Sequence, residues 1–163
     1  MSEKKQFLSN WERETPVTLK VLRAYPAAKA DLKPDPKARS AKELAWTFVF
    51  EAHGGAQGLD GELKFPPPTM PPMPGTWDGV VSEVERSFKM LADKVRKVDD
   101  AKLNTTVKFF TGPKQMGDVR RLDFLSFLVN DMIHHRGQFS VYLRMAGGKV
   151  PSIYGPSADE PWM

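Results

Sequence analysis

The sequence predicts an all-α protein: a four-helix bundle with a long proline-rich crossover between helices two and three and a C-terminal tail packed on the body. Four segments carry the apolar spacing or the cap of a helix, prolines cluster between the second and third, and little of the chain alternates as a strand would. Amphipathic helices bury their apolar faces most simply against one another. The chain has 163 residues, which suits one hydrophobic core, so a single domain is expected over residues 1–163.

The first helix is expected from about Lys5 to Tyr25, and a loop punctuated by prolines follows over residues 26–39. Its apolar positions are Phe7, Leu8, Trp11, Leu19 and Leu22. Pro16 interrupts the segment in one of two ways. Either Thr15 caps a restarted helix that has Pro16 at its first position, or a single helix kinks at the proline.

The second helix begins with a capping box at Ser40-Ala-Lys-Glu43. In such a box the serine hydroxyl accepts a backbone hydrogen bond, and the glutamate reaches back to the serine amide. The helix continues from Leu44 to His53, and the pair Gly54-Gly55 predicts its end.

Residues 59–75 are predicted to form an extended crossover, because six prolines fall between Pro66 and Pro74. At about 3.1 Å per residue, a segment of this length can run the long side of a bundle. Helices two and three therefore need not be antiparallel hairpin neighbours.

The third helix has the most regular apolar stripe in the chain, with the i, i+3, i+4, i+7 spacing of one buried face. The stripe comprises Trp77, Val80, Val81, Val84, Phe88, Leu91, Val95 and Val98. Thr105 to Gly117 is β-branched and turn-rich, so a short hairpin-like loop is expected there. Helix four, from about Asp118 to Met145, is apolar on nearly all sides and is expected to be the most buried. Tyr154 and Trp162 in the tail indicate that it packs back onto the body.

Composition excludes several kinds of site and partner. The chain has no cysteine, which rules out disulfides, thiolate metal ligands and cysteine nucleophiles. No apolar run approaches the ~18 residues of a membrane span, and residues 1–6 lead into no apolar stretch of the secretory kind. A cytoplasmic protein without a membrane partner is expected. The net charge of +4 is modest, with acidic residues among the basic ones, so no nucleic-acid partner is expected.

Candidate chemistry lies on one face of helix four. At 100° per residue, this face holds Phe124, Leu128, Asp131, His135, Gln138 and Tyr142. Asp131 and His135 are four residues apart, so their side chains stand one turn apart and can both reach one metal ion. The same spacing also arises from a simple ion pair or from an aspartate that only holds a buried histidine, and on the residues alone these interpretations stay open.

A longer run around this pair resembles the C-terminal signature of DinB-like proteins. It comprises Asp131-Met-Ile-His134-His135-Arg136-Gly137-Gln138 and, further on, Val150-Pro-Ser-Ile-Tyr154 and Asp159-Glu160. His-His-Arg-Gly-Gln is the most diagnostic part, and Glu43-Leu-Ala-Trp46 is similar to the family's second helix. The similarity covers the chain from Trp11 to Glu160.

The resemblance implies a four-helix bundle, commonly a homodimer, that holds a divalent metal ion through three side chains. In the family two ligands come from helix four, typically as His-x-x-x-His, and one histidine comes from helix two. Relatives with assigned activities are thiol-dependent S-transferases and isomerases. The implied function is therefore a metal-dependent enzyme that activates a low-molecular-weight thiol, because a metal ion stabilises the thiolate.

The sequence departs from the family pattern at both ligand-bearing helices. Asp131 stands at the place of the first helix-four histidine, and Thr47 stands at the place of the helix-two histidine. A threonine hydroxyl is a poor ligand for zinc or nickel, whereas Glu51 lies one turn later on the same face. The predicted metal ligands are therefore Glu51, Asp131 and His135. Two carboxylates and one imidazole favour Mn²⁺ or Fe²⁺, and Zn²⁺ is not excluded.

A second hypothesis is a non-catalytic dimeric bundle, a binding or stress-response protein whose site has decayed and holds no metal. Loss of the helix-two histidine favours it, and the line Glu43, Thr47 and Glu51 would then simply face water. A homodimer is expected under both hypotheses, because Trp11, Trp46 and the apolar helix four exceed what one small bundle buries.

Four further polar side chains have ordinary structural interpretations. His53 is interpreted as a helix-end histidine near the C-terminal dipole, and His134 as a packing or outer-shell residue. Arg136 either binds an anion or forms a salt bridge between helices, and the salt bridge is the favoured interpretation. Tyr154 either offers its hydroxyl to a substrate or covers the mouth of the bundle.

Overall fold

The computed structural model describes residues 2–163, which are mostly helical with one small sheet. The long helices are α1 (Glu3–Arg23), α2 (Ala41–Asp60), α3 (Trp77–Lys97) and α5 (Arg121–Met145). Between α3 and α5 lie the one-turn helix α4 (Asp100–Leu103) and an antiparallel hairpin of β1 (Thr106–Gly112) and β2 (Gln115–Arg120). Two details differ from the predicted all-α fold. The expected hairpin-like loop is a paired two-stranded sheet, and the predicted helix four begins at Arg121 instead of Asp118.

Side-chain caps determine where three of the long helices begin. The hydroxyl of Ser2 accepts a hydrogen bond from the backbone N–H of Lys5, and that of Thr76 accepts one from Gly79. At the start of α2, Ser40 and Glu43 form the predicted capping box in both directions. α1 continues through Pro16 as one helix, which excludes a capped restart at that point.

α2 does not end at Gly54-Gly55 as predicted but continues to Asp60. A Cβ atom on Gly55 would lie 2.9 Å from side-chain atoms of Leu91 and Leu128, and one on Gly58 would lie 2.7 Å from Phe124. These glycines therefore allow α3 and α5 to approach α2 closely. The packing gained outweighs the helix propensity lost at each glycine, about 1 kcal/mol.

α2 and α3 are packed neighbours that run in the same direction. Phe48 contacts Phe88, and farther along both helices Asp60 forms an ion pair with Lys94. The crossover of residues 61–76 therefore returns along the length of the pair, as its composition predicted. α5 runs antiparallel to α2, because Gly58 lies against the early residue Phe124 and the earlier α2 residues face later ones of α5.

The core lies between the four long helices, and α2 contributes most to it. Of its 20 residues 13 are buried, against 11 of 25 in α5, so the prediction that helix four is the most buried is wrong. Trp11 is only 1% exposed and donates its indole N–H to the carbonyl oxygen of Phe88 at 3.1 Å, and Trp46 is also buried. Both tryptophans are thus accommodated within one chain and give no support to a homodimer, which stays a prediction.

None of the helices within residues 2–163 has the length and apolarity needed to cross a membrane.

The tail folds back onto α1 and α5, as predicted. Glu160 accepts hydrogen bonds from Lys20 and from the backbone and hydroxyl of Ser152, and Asp159 pairs with Arg144. Trp162 takes no part in this packing, since its side chain is largely exposed.

Candidate metal centre

Three acidic or imidazole side chains from α2 and α5 meet at one point. His135 Nε2 lies 3.4 Å from Glu51 Oε1 and 3.6 Å from Asp131 Oδ1. One donor atom from each residue lies within 4.8 Å of the other two. Asp131 and His135 share a face because they are one helical turn apart, and the close approach of α2 brings Glu51 opposite them. The structure therefore brings together the three residues that the sequence predicted as ligands.

Glu51 is the most unusual group in this cluster. It is 4% exposed, and neither carboxylate oxygen has a hydrogen-bond partner among the described residues. Burial raises the pKa of Glu51 well above its ordinary value, and the neighbouring charge of Asp131 raises it further. Buried polar atoms normally have a partner, and a buried carboxylate without one is costly. A cation held among these three side chains would give the buried carboxylate a partner, so the donor set fits a divalent metal ion.

Gln138 determines which nitrogen of His135 is available. Its amide lies one turn further along α5, with Oε1 3.1 Å from His135 Nδ1. Because Oε1 can only accept, Nδ1 carries the proton and donates it. In the neutral ring Nε2 then presents its lone pair, and Nε2 is the atom that faces Glu51 and Asp131. This is the tautomer that a metal ligand needs.

The polar line along α2 runs from the surface into the interior, so the hypothesis that all of it faces water is wrong for Glu51. Glu43 is exposed and serves the capping box. Thr47, at the family's histidine position, is half-buried, and its hydroxyl accepts a hydrogen bond from Arg39 Nη1 at 2.8 Å. Glu51 alone is fully buried.

The other two histidines do not join the cluster. His53 is not at a helix end, because α2 continues for seven more residues, so that interpretation is wrong. It lies 3.1 Å from the Thr69 hydroxyl, and burial lowers its pKa. His134 is exposed, so it is not a packing residue. Its Nε2 lies 3.1 Å from Gln138 Nε2, so it contacts the glutamine that is hydrogen-bonded to His135.

Arg136 forms a salt bridge between helices, as predicted. Its side chain is 2% exposed, and Nη2 donates to Glu14 Oε2 at 2.8 Å. The Tyr154 hydroxyl donates to the same carboxylate and accepts from Arg136. Arg136 and Tyr154 thus join α1, α5 and the tail, and neither hydroxyl nor guanidinium reaches the metal centre. Sequence reasoning missed Glu14, because 122 residues separate it from Arg136.

A cavity of about 330 Å³ opens beside the three candidate ligands. Arg39 and Thr47 line it near the cluster, and six phenylalanines line the remainder: Phe50, Phe65, Phe109, Phe110, Phe124 and Phe127. Sequence reasoning found only Phe124 on this face. The rings come from α2, the crossover, β1 and α5, so no local spacing relates them.

Comparison of the sequence with known proteins identifies the family to which the chain belongs. A model of the DinB family matches residues 1–162. The chain belongs to the DinB family. The uncharacterized protein YrdA of Bacillus subtilis (strain 168) is 26% identical over 156 residues, which cover 94% of this chain and 89% of YrdA.

Two crystal structures of DinB-like proteins share the fold. One, from Bacillus cereus ATCC 10987, matches with a TM-score of 0.74 and 25% identity over 92% of this chain and 97% of that chain. The other, YjoA of Bacillus subtilis, matches with a TM-score of 0.74 and 17% identity over 91% and 97% of the two chains. Together with the family match, these likenesses confirm the resemblance inferred from His-His-Arg-Gly-Gln.

In this DinB protein the candidate ligand from α2 differs from the family pattern in both residue type and position. The residue at the helix-two histidine position, Thr47, is turned to Arg39. Glu51 supplies a carboxylate one turn deeper on the same helix, beside His135. Two carboxylates and one imidazole can hold a divalent ion, and the adjoining cavity leaves room for a further molecule.

Proposed function

We propose that this DinB protein is a metal-dependent enzyme in which Glu51, Asp131 and His135 hold a divalent metal ion. The observation that carries the proposal is the buried carboxylate of Glu51, which lies beside His135 and Asp131 and whose two oxygens lack hydrogen-bond partners within residues 2–163. A cation would make such an arrangement favourable, because it balances the buried negative charge. Oxygen-rich donor sets with one imidazole favour Mn²⁺ or Fe²⁺, with Zn²⁺ and Ni²⁺ as competitors.

The proposed reaction is the transfer of a low-molecular-weight thiol to an electrophile, which the family resemblance supports. A divalent ion in this position would stabilise the thiolate form of the thiol. Gln138 keeps Nε2 of His135 unprotonated towards the other ligands. The phenylalanine-lined cavity offers an apolar surface that would orient the electrophile beside the ligands. One observation supports the alternative of a non-catalytic bundle: the hydroxyl of Thr47 accepts a hydrogen bond from Arg39.

Calorimetric titration of chelator-stripped protein, purified without a nickel column, tests the proposal. We expect one ion per chain and, for each of Glu51→Ala, Asp131→Ala and His135→Ala, a loss of most of the affinity. Glu43→Ala and Thr47→Ala are the matched controls on α2 and should change affinity little, because neither residue belongs to the cluster. Failure of the wild-type protein to bind Mn²⁺, Fe²⁺, Zn²⁺ or Ni²⁺ would establish the non-catalytic alternative.

Activity distinguishes a metal enzyme from a metal-binding bundle. Loaded and stripped protein are compared for conjugation of a small thiol with a fluorogenic electrophile. We expect conjugation only with the loaded protein and its loss in His135→Ala. Ion binding without any metal-dependent conjugation would retain the metal site and reject the transferase.

We also propose that the protein acts in the cytoplasm as a homodimer, which the family resemblance supports. Light scattering at micromolar concentration should then show a species of twice the 18.3 kDa chain mass. A species of 18.3 kDa alone would reject the dimer.

A further inference from the structure

We propose that the cavity beside the metal centre binds a small anionic molecule with an aromatic or otherwise apolar body, its charged group paired with Arg39. The inference deepens the proposed function and rests on it, because this cavity opens onto Glu51, Asp131 and His135. It names the chemical class of the electrophile or thiol adduct that the enzyme would handle.

The first observation is a continuous wall of aromatic rings. Six of the ten phenylalanines in the chain line this one cavity. Their rings contact one another in series, with centroid separations of 4.7 to 6.2 Å: Phe50 to Phe65, Phe65 to Phe110, Phe110 to Phe109, and Phe109 to both Phe124 and Phe127. Such a wall offers large apolar area and ring edges and faces for stacking.

The second observation is that half of this wall is left open to solvent. Phe65, Phe110 and Phe127 are 50%, 54% and 44% exposed. Single exposed apolar residues are common, but a contiguous exposed patch around a cavity marks a binding surface. At Gly54, three residues beyond Glu51 on α2 and also on the cavity wall, an added Cβ atom would meet nothing within 4 Å. The space for a ligand therefore continues up to the metal centre.

The third observation is an arginine at the cavity wall without an ion pair. Arg39 Nη1 donates to the Thr47 hydroxyl, and among residues 2–163 no carboxylate lies within 4.0 Å of the guanidinium. The Tyr142 hydroxyl donates to the backbone carbonyl of Arg39 at 2.9 Å and so holds this part of the loop in place. A guanidinium has five donors, most of them unused here, and it recognises carboxylate, sulfonate or phosphate groups.

The charge of the site and the volume of the cavity further restrict the class of ligand. A divalent ion balances the carboxylates of Glu51 and Asp131, and Arg39 then gives the cavity a net positive charge within apolar walls. A volume of about 330 Å³ is at the small end for ligand pockets. A molecule of one or two rings with one anionic group fits these properties. The concave shape with polar groups converging at one end suits such a molecule better than the face of a second copy.

Two fluorescent probes with one skeleton test the inference. 1-Anilinonaphthalene-8-sulfonate is anionic, and N-phenyl-1-naphthylamine lacks the sulfonate. Both are titrated into the full chain, metal-loaded and stripped, with affinity read from fluorescence. We expect both to bind and the anion to bind more tightly, above all in loaded protein. Arg39→Met should weaken binding of the anion about tenfold to a hundredfold and leave the neutral probe unchanged. Phe110→Ala should weaken both.

Control variants distinguish these effects on probe binding from a general loss of folded structure. Arg86→Met and Met145→Ala remove an exposed arginine and an exposed apolar residue elsewhere on the surface, and both should bind the probes as wild type does. Gly54→Leu should block both probes by filling the cavity. It adds helix propensity and meets no neighbour at Cβ, so it keeps the fold intact for the measurement.

The outcomes distinguish this inference from the proposed function. Ion binding by calorimetry with no binding of either probe overturns the inference and leaves the metal centre in place. Probe binding that depends on Arg39 and Gly54 in a protein that binds no ion supports the inference and overturns the metal centre. Equal affinity of wild type and Arg39→Met for the anion overturns the anionic part. Two results together would overturn the inference: Phe110→Ala dissociates a dimer, and Gly54→Leu leaves probe binding unchanged. The exposed phenylalanines would then form an interface between two copies of the chain.

Discussion

Gln138 and His135 are joined by a hydrogen bond that sets the chemistry of the imidazole: Gln138 Oε1 lies 3.1 Å from His135 Nδ1. The glutamine is exposed and does not reach the cluster, yet it determines that Nε2 is the free nitrogen. The same amide contacts His134 through its other end, so one residue orders both histidines of His-His-Arg-Gly-Gln. Gln138 is thus a positioning residue for the candidate metal centre.

Loss of this hydrogen bond should weaken metal binding. We expect Gln138→Ala to lower the affinity for a divalent ion about tenfold to a hundredfold, the usual effect of removing a group that orients a ligand. Gln138→Glu keeps an acceptor at this position and should retain most of the affinity. Calorimetry checks both, with Gln6→Ala on α1 as the control. Equal affinities for wild type and Gln138→Ala would show that the ring is fixed by its packing alone.

Replacing Glu51 should stabilise the metal-free protein. Its carboxyl group is buried and has no hydrogen-bond partner in the described part of the chain, so Glu51→Leu removes a desolvated polar group and should raise the free energy of unfolding by about 1–3 kcal/mol. Urea denaturation in the presence of chelator gives this quantity. Glu43→Leu is the control on the same helix, and it should not stabilise, because it removes the capping box. A loss of stability in Glu51→Leu would indicate that the carboxylate has a structural role.

The buried pair of Glu14 and Arg136 should behave in the opposite way. Arg136→Met removes the buried cation of Glu14 and leaves its carboxylate paired only with the largely exposed Arg13, so we expect a loss of about 3–5 kcal/mol in the free energy of unfolding. The double change Glu14→Leu with Arg136→Met should cost less than Arg136→Met alone, because no charge remains unpaired. A denaturation cycle over the four proteins measures the coupling. Additive effects would mean that the pair does not interact energetically.

Glu14 also predicts how stability depends on pH. Burial raises its pKa, but hydrogen bonds from Tyr154, Arg136 and Arg13 lower it by more, so the pKa lies below its ordinary value of 4.5. A carboxyl group with a lowered pKa in the folded state contributes stability that is complete above pH 4.5 and is lost as pH falls through the folded value. Urea denaturation from pH 7 to pH 3 should therefore show a steeper loss for wild type than for Glu14→Gln. Parallel curves would assign the acid sensitivity to the other carboxylates.

Features set by neighbouring residues were predictable from the sequence. The capping box at Ser40 and Glu43 needs only four residues, and the shared face of Asp131 and His135 needs only the helical repeat. Glu51 followed from the resemblance to the DinB pattern and one further turn of helix. These interactions are local or periodic, and the chain encodes them directly.

Features set by residues far apart in the chain were not predictable. The continuation of α2 beyond Gly54-Gly55 depends on Leu91 and Leu128, which a local propensity does not include. The partner of Arg136 and the loop residue Arg39 in the cavity wall likewise depend on how the helices pack. The phenylalanine wall has no linear signal at all, because it is assembled from four elements.

The two halves of α2 differ in what makes them helical. Residues 40–53 have the capping box and no glycine, whereas the part from Gly54 to Asp60 contains three glycines and is helical because α3 and α5 lie against it. A synthetic peptide of residues 41–60 should therefore lose helix towards its C-terminal end. We expect that end of α2 to become helical only when α3 and α5 pack against it. Glu51, three residues before Gly54, lies at the boundary, so the candidate metal centre is completed by tertiary assembly and not by the helix on its own.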